Sequence, residues 1–146
     1  MPNLMDTYIE NRFLVNPDDA NILGSAHGGN VMKWMDEIGA MSAMRFAGET
    51  CVTARLNQTN FRRPIPQGDA ALVRSYVYDA GKSSVKVRIR VYRENIRTGE
   101  TELTTESYMV FVAIDDDGHP ISVPELTIDT ERGQTLFDAA VNAKED

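Results

Sequence analysis

A chain of 146 residues suits one domain with a real core and leaves little room for two. A hydrophobic share of 42% beside 25% charged residues excludes a disordered or fibrous chain, and no run approaches the ~18 apolar residues of a membrane span. The net charge of −7 sets up a field that repels nucleic acid and anionic membrane surfaces, and a single cysteine, Cys51, excludes an internal disulfide or a multi-cysteine zinc site.

The opening "MPNLMDTYIENRF" lacks the basic start and apolar block of a secretory signal, so a cytoplasmic protein is expected. Residues 5–15 read as a first strand, and residues 16–29 as a loop. "NVMKWMDEIGAMSAMRFAG" predicts one helix ending at Gly48. Residues 50–60 alternate, with Val52, Ala54 and Leu56 on one face and Thr53, Arg55 and Asn57 on the other. "FRRPIPQGD" breaks the pattern, because two prolines cannot sit in a central strand. Strands are expected over 70–80 and 83–95, joined by a tight turn at Gly81-Lys82. "NIRTGE" turns the chain, with Gly99 free for positive φ, into a strand over 101–115 that "DDDGHP" closes. "ERGQTLFDAAVNA" predicts a C-terminal helix. One strand, one long helix and four antiparallel strands in a meander make an α+β domain whose sheet covers its apolar face with that helix.

The helix is apolar on more than one side (Val31, Trp34, Met35, Ile38, Met41, Met44), as a buried helix should be. Its small residues Gly39, Ala40, Ala43 and Ala47 let a sheet curl closely around it. Glu37 pairs with Lys33 one turn away on the solvent side. Asp36 differs, because its helical neighbours are Met32, Gly39, Ala40 and Ala43. A carboxylate sunk there is costly unless it is paired or used.

The chain has no G-x-S-x-G elbow, P-loop or H-E-x-x-H, and "GSAHGG" lacks dinucleotide-fingerprint spacing. His27 and His119 are too scattered for a metal cluster, so no metal is expected. Cys51 reads as a core residue and "DDDG" as a turn. Asn21, the His27-Gly28-Gly29 turn and Asp36 remain. Singly they have structural explanations: an Asx-turn, backbone geometry before a helix, and a satisfied carboxylate. Together they form a device for acyl transfer or hydrolysis. Amides at a helix start suit a carbonyl oxygen gaining charge, Asp36 supplies a base or nucleophile, and Asn21 holds a water or the carbonyl.

Four blocks, "N..G..HGG..MKWMDE" (21–37), "CVTA" (51–54), "F..PI..GD" (61–69) and "GKSSVKV" (81–87), occur in order across about residues 6–115. They resemble the cytosolic acyl-CoA hydrolases of the hotdog-fold thioesterase superfamily. The resemblance implies a hotdog fold: a curled antiparallel sheet around one long central helix. It implies a single domain over 1–146, with its core at about 6–115 and a C-terminal tail and helix at about 119–146. It also implies a homodimer as the minimal unit, assembling as a trimer of dimers, in which Asn21 of one protomer faces Asp36 of its partner. The Gly29 N–H would polarise the thioester carbonyl, with His27 and Gly28 lining the substrate site. CoA would lie on Ala54, Arg55 and Leu56 and on Gly81, Lys82, Ser83, Ser84 and Val85, where Lys82 stands at a position often Arg in the family. Arg55, Arg62, Arg63 and Lys82 are expected to form a basic strip for its phosphates. The acyl tunnel would depend on Trp34, Met35, Met41, Met44 and the partner subunit. No cofactor is implied beyond the CoA of the substrate. The alternatives in the same fold are an acyl-thioester hydratase and a non-catalytic acyl-CoA sensor.

Overall fold

The structure is a computed structural model describing residues 2–143. The chain begins with a 3-10 turn, Leu4–Thr7, closed by Asn3 and Asp6 exchanging side-chain-to-backbone hydrogen bonds. Then come β1 (Ile9–Leu14), a second 3-10 turn (Pro17–Asp19), α1 (Gly28–Ala47), β2 (Cys51–Leu56), β3 (Asn60–Phe61), β4 (Ala70–Ala80), β5 (Ser84–Glu94), β6 (Thr101–Ala113) and α2 (Glu131–Ala143).

One antiparallel sheet runs in the order β1-β4-β5-β6-β2, with β3 pairing β6 beyond β2. Period-two alternation splits β4–β6 between two cores. Ala71, Val73, Val77, Val85, Val87, Ile89, Val91, Met109 and Phe111 pack with Trp34, Met35 and Ile38 of α1. Tyr76, Tyr78 and Tyr108 face the other way, toward Leu4 and Ala140. There the tyrosine hydroxyls of Tyr76 and Tyr108 donate to the carbonyls of Leu136 (2.6 Å) and Ala140 (3.0 Å) and hold α2 against the convex side. The expected α+β hotdog architecture is therefore present, with a curled sheet on a central helix and a C-terminal helix outside it.

Close seating of α1 follows from its small residues. A Cβ at Gly39 would lie 3.2 Å from Phe111 Cζ and 3.4 Å from Ile89 Cδ1, so any larger residue would push these side chains back by a few tenths of an ångström. Ser42 Oγ donates to the Thr7 carbonyl (2.8 Å) and Ser75 Oγ to the Ile38 carbonyl (3.1 Å), which fixes the helix's rotation against β4.

Several expectations need correction. The meander holds only for β4-β5-β6. α1 is about 30 Å long and carries the chain across the concave face, so β2 lands beside β6, while β1 already occupies the other edge of β4. The strand expected over 50–60 is two strands, and a bulge at Ala54 breaks the alternation, leaving Val52 through Leu56 all exposed. The first strand starts only at Ile9, because residues 4–7 coil first. Two residues more than expected enter α1 at its start, because His27 caps it. Met1 and residues 144–146 of the expected 1–146 domain lie outside the described residues.

Candidate active site

The loop before α1 is a hydrogen-bonded hairpin built by Asn21. Its Oδ1 accepts the N–H groups of Leu23 (2.9 Å) and Ser25 (3.2 Å), its own N–H donates to the Ser25 carbonyl (2.7 Å), and Gly24 supplies the positive φ of 77° that closes the turn. The Asx-turn role is thus real, and it turns the amide so that its Nδ2 donors are left for another group.

His27 caps the helix twice. Its carbonyl accepts the N–H groups of Asn30 (2.9 Å) and Val31 (3.1 Å), and its Nδ1 accepts the Gly29 N–H (3.1 Å). The imidazole lies against Gly29, where a Cβ would come 3.4 Å from Nδ1. Gly29, the amide expected to polarise a carbonyl, therefore already has an acceptor in this protomer. Gly28 lines a cleft of about 340 Å³ together with Asn21, Leu23, Val31, Phe61 and Ile65, with Arg62 and Arg63 also on its walls. Asn21 and Gly28 are brought together there.

Asp36 is not in that cleft. It lies eight residues further along α1, about 12 Å down the axis, half-buried rather than sunk. Gly39 and Ala43 beside it are buried, while Met32 one turn back is 39% exposed, so this side of the helix opens to solvent at the edge of the sheet. Its partner is the hydroxyl of Thr53 on β2, which donates to Oδ1. Thr53 escaped the sequence reading. Alternation places it on a strand face with Arg55 and Asn57, and the bulge at Ala54 hides from the sequence that its hydroxyl stands opposite the helical carboxylate.

The turn between β4 and β5 is closed by the Gly81 N–H donating to the Ser84 carbonyl (2.9 Å), and a Cβ on Gly81 would lie 2.6 Å from Ser84 Oγ. Ser83 and Ser84 are half-buried and Lys82 is exposed. Val85 is wholly buried in the core, so its side chain is not available to a ligand. The ladder Ser84–Val112–Val52 and its neighbour Val85–Phe111–Thr53 put this turn two strands, about 10 Å, from Thr53. Ala54, Arg55 and Leu56 continue the exposed edge. The expected single basic strip does not form within one protomer. Arg62 donates its N–H to Thr104 while Ser84 pairs with Val112, so the two ends are separated by about 26 Å of β6. Arg63 has Glu102 at 3.7 Å.

Trp34 and Met35, expected beside an acyl tunnel, are core residues, whereas Met41 and Met44 are partly exposed on α1. Cys51 is buried, and burial, with Glu49 nearby, pushes its thiol up to about 11, the environment of a packed residue rather than a nucleophile. Asp115, Asp117 and His119 are exposed, and Asp115 Oδ1 accepts the N–H groups of the other two (2.9 Å each), which is a turn.

The curled antiparallel sheet on one long helix defines a protein of the hotdog class. The profile of the Thioesterase superfamily matches residues 23–100, and the chain belongs to that family. It is 38% identical over 127 residues to an uncharacterised acyl-CoA thioester hydrolase, YkhA, of Bacillus subtilis, covering 87% of this chain and 74% of that one. It superposes with a TM-score of 0.87 on an apo-hexameric acyl-CoA thioesterase (36% identity; 98% of this chain, 92% of that one). A TM-score of 0.87 also relates it to the acyl-CoA hydrolase of Staphylococcus aureus in complex with butyryl-CoA, CoA and CoA disulfide (31% identity; 98% and 87%). Three further structures of that enzyme carry an asparagine, an aspartate or a threonine replaced by alanine.

Proposed function

We propose that the protein hydrolyses acyl-CoA thioesters to free acid and CoA in a site shared by two protomers. The observation that carries this reading is the division of the groups: Asp36 with Thr53 at the edge strand, Asn21 with Gly28 at the cleft. The spacings between the three residues replaced in the Staphylococcus aureus hydrolase equal those between Asn21, Asp36 and Thr53, which supports the choice.

One protomer supplies Asp36, held by Thr53, and its partner supplies Asn21 and the helix start. Asp36 takes the proton of a water whose oxygen attacks the thioester carbonyl carbon, or its own oxygen attacks first to give an anhydride that water then opens. The carbonyl oxygen, gaining negative charge, is met by Gly28 and Gly29 amides at the positive end of α1, with the His27 imidazole turning off Gly29. The C–S bond breaks and CoA leaves as thiolate, so no strong general acid is needed. Asn21 Nδ2 donates to the carbonyl or the water.

The CoA portion follows Ala54, Arg55, Leu56 and the Gly81–Ser84 turn of the Asp36 protomer. Val85 contributes only main chain. The scheme calls on no metal and no cofactor beyond the CoA in the substrate. A homodimer is the minimal unit and a trimer of dimers the assembly, supported by the hexameric relative and by Met32, Met41, Val52 and Leu56, all at least 37% exposed beside the edge strand β2. No described helix is long and apolar enough to cross a membrane, and the likeness to a cytosolic acyl coenzyme A thioester hydrolase supports a cytoplasmic location. Release of free thiol from a panel of acyl-CoAs tests the reading. Hydrolysis that persists in Asp36→Asn would overturn the assignment, and the absence of CoA release from any acyl-CoA would overturn the function.

A further inference from the structure

The two halves of the shared site impose a direction on the substrate. CoA and acyl groups leave a thioester on opposite sides of its carbonyl. The Gly81–Ser84 turn lies about 10 Å from Thr53 across β6, on the Asp36 side. The acyl group must then leave on the Asn21 side, where the cleft of about 340 Å³ opens beside Gly28.

That cleft has the surface an aliphatic chain needs. Its walls include Leu23, Val31, Phe61 and Ile65, and its size falls at the low end of ligand pockets, roughly 300–1,000 Å³. Leu23 is 84% and Phe61 47% exposed, so both stand at the mouth, while Val31 and Ile65 are buried at its base. A Cβ on Gly28 would lie 3.9 Å from Phe61 Cζ, which places the ring directly over the start of the helix. Leu23 is held out by the bonds that Asn21 Oδ1 accepts from Leu23 and Ser25, so the tip is rigid and coupled to the residue proposed to hold the carbonyl. The interior positions first expected to shape the channel, Trp34 and Met35, are closed off in the core.

Resting on the thioesterase reading above, we propose that this cleft is the acyl subsite and that Leu23 and Phe61 set the chain length the enzyme accepts. The occupant is a short to medium aliphatic chain, contributed by a substrate whose CoA lies on the other protomer. Arg62 and Arg63 also line the cleft, and the apolar path runs along Leu23, Val31, Phe61 and Ile65.

The test measures kcat/KM for acetyl-, butyryl-, hexanoyl- and palmitoyl-CoA on the full-length protein. Leu23→Trp, which narrows the mouth at an exposed position, is expected to lower the hexanoyl-to-acetyl ratio at least tenfold, and Phe61→Ala to raise the palmitoyl-to-acetyl ratio by about tenfold. Ile22→Ala, a neighbour outside the cleft, is expected to shift either ratio less than twofold. The proposal is overturned if Leu23→Trp scales every chain length alike, which would mark the cleft as a CoA site. It is equally overturned if Ile22→Ala matches Leu23→Trp, or if Leu23→Trp elutes as a smaller species with its ratios unmoved, which would mark the tip as a subunit contact. Wild-type protein that releases CoA with unmoved ratios in the variants sinks only this subsite, whereas wild-type protein that releases none sinks the thioesterase reading with it.

Discussion

The two ends of the active face of α1 are built differently. At its start, main-chain amides, an asparagine amide and an apolar cleft are assembled by a tight loop and the cap of His27. Eight residues on, one carboxylate meets one hydroxyl across to an open strand edge. The first end offers donors and apolar surface but has no base, while the second has the base and no oxyanion donors. On the proposed reading neither end hydrolyses a thioester alone, and the helix keeps them about 12 Å apart. A two-fold contact is the cheapest way to join complementary halves, because one patch then supplies both.

The largest expected effect tests that division directly. Asp36→Asn and Asn21→Ala should each lower kcat by about a thousandfold or more while leaving the circular dichroism spectrum unchanged. Mixing the two inactive variants after dissociation and reassembly should restore about a quarter of wild-type activity, since half the dimers are mixed and each holds one intact site. Recovery of no activity breaks the shared-site picture. Thr53→Val comes next. Removing a hydrogen bond to a carboxylate costs about 1.5–3 kcal/mol, so kcat should fall by about 10- to 100-fold with KM little altered, as steady-state kinetics will report. His27→Ala removes the cap at the other end and should cost about 1 kcal/mol of stability in a denaturant titration.

The smallest effect concerns Cys51, at the head of β2. Its thiol is pushed up to about 11 from a usual 9.0, mainly by burial, so the folded state holds its proton longer than the unfolded one. Its contribution to stability is therefore complete below pH 9 and is lost as pH rises from about 9 to 11. Iodoacetamide at pH 8 should label the native protein far more slowly than the unfolded chain, and Cys51→Ser should leave kcat within twofold.

The helix was legible because its 3.6-residue apolar pattern and terminal glycine are local signals, and α2 and the β4-β5-β6 hairpins were legible for the same reason. β2 was misplaced because which edge a strand joins depends on where a long helix delivers the chain, and the bulge at Ala54 was invisible because it answers to a partner strand. Asp36 stood out as a carboxylate among small apolar helical neighbours, and Asn21 only in company with the glycines and Asp36. Thr53 did not, because an exposed strand threonine is ordinary until a carboxylate is found opposite it.

The sequence by itself determined an α+β chain with one long helix and a C-terminal one, the polar residue types it carries, and an acidic net charge unsuited to nucleic acid, because composition and periodicity act over a few residues at a time. Tertiary structure alone decided that Val85, Trp34 and Met35 belong to the core and that Arg62 and Lys82 stand at opposite ends of the sheet. The His27 cap is a local contact two residues long that only the structure reveals. The burial of Val85, Trp34 and Met35 and the separation of Arg62 from Lys82 depend instead on strand register and on the seating of one helix, which contacts between residues far apart in the chain settle.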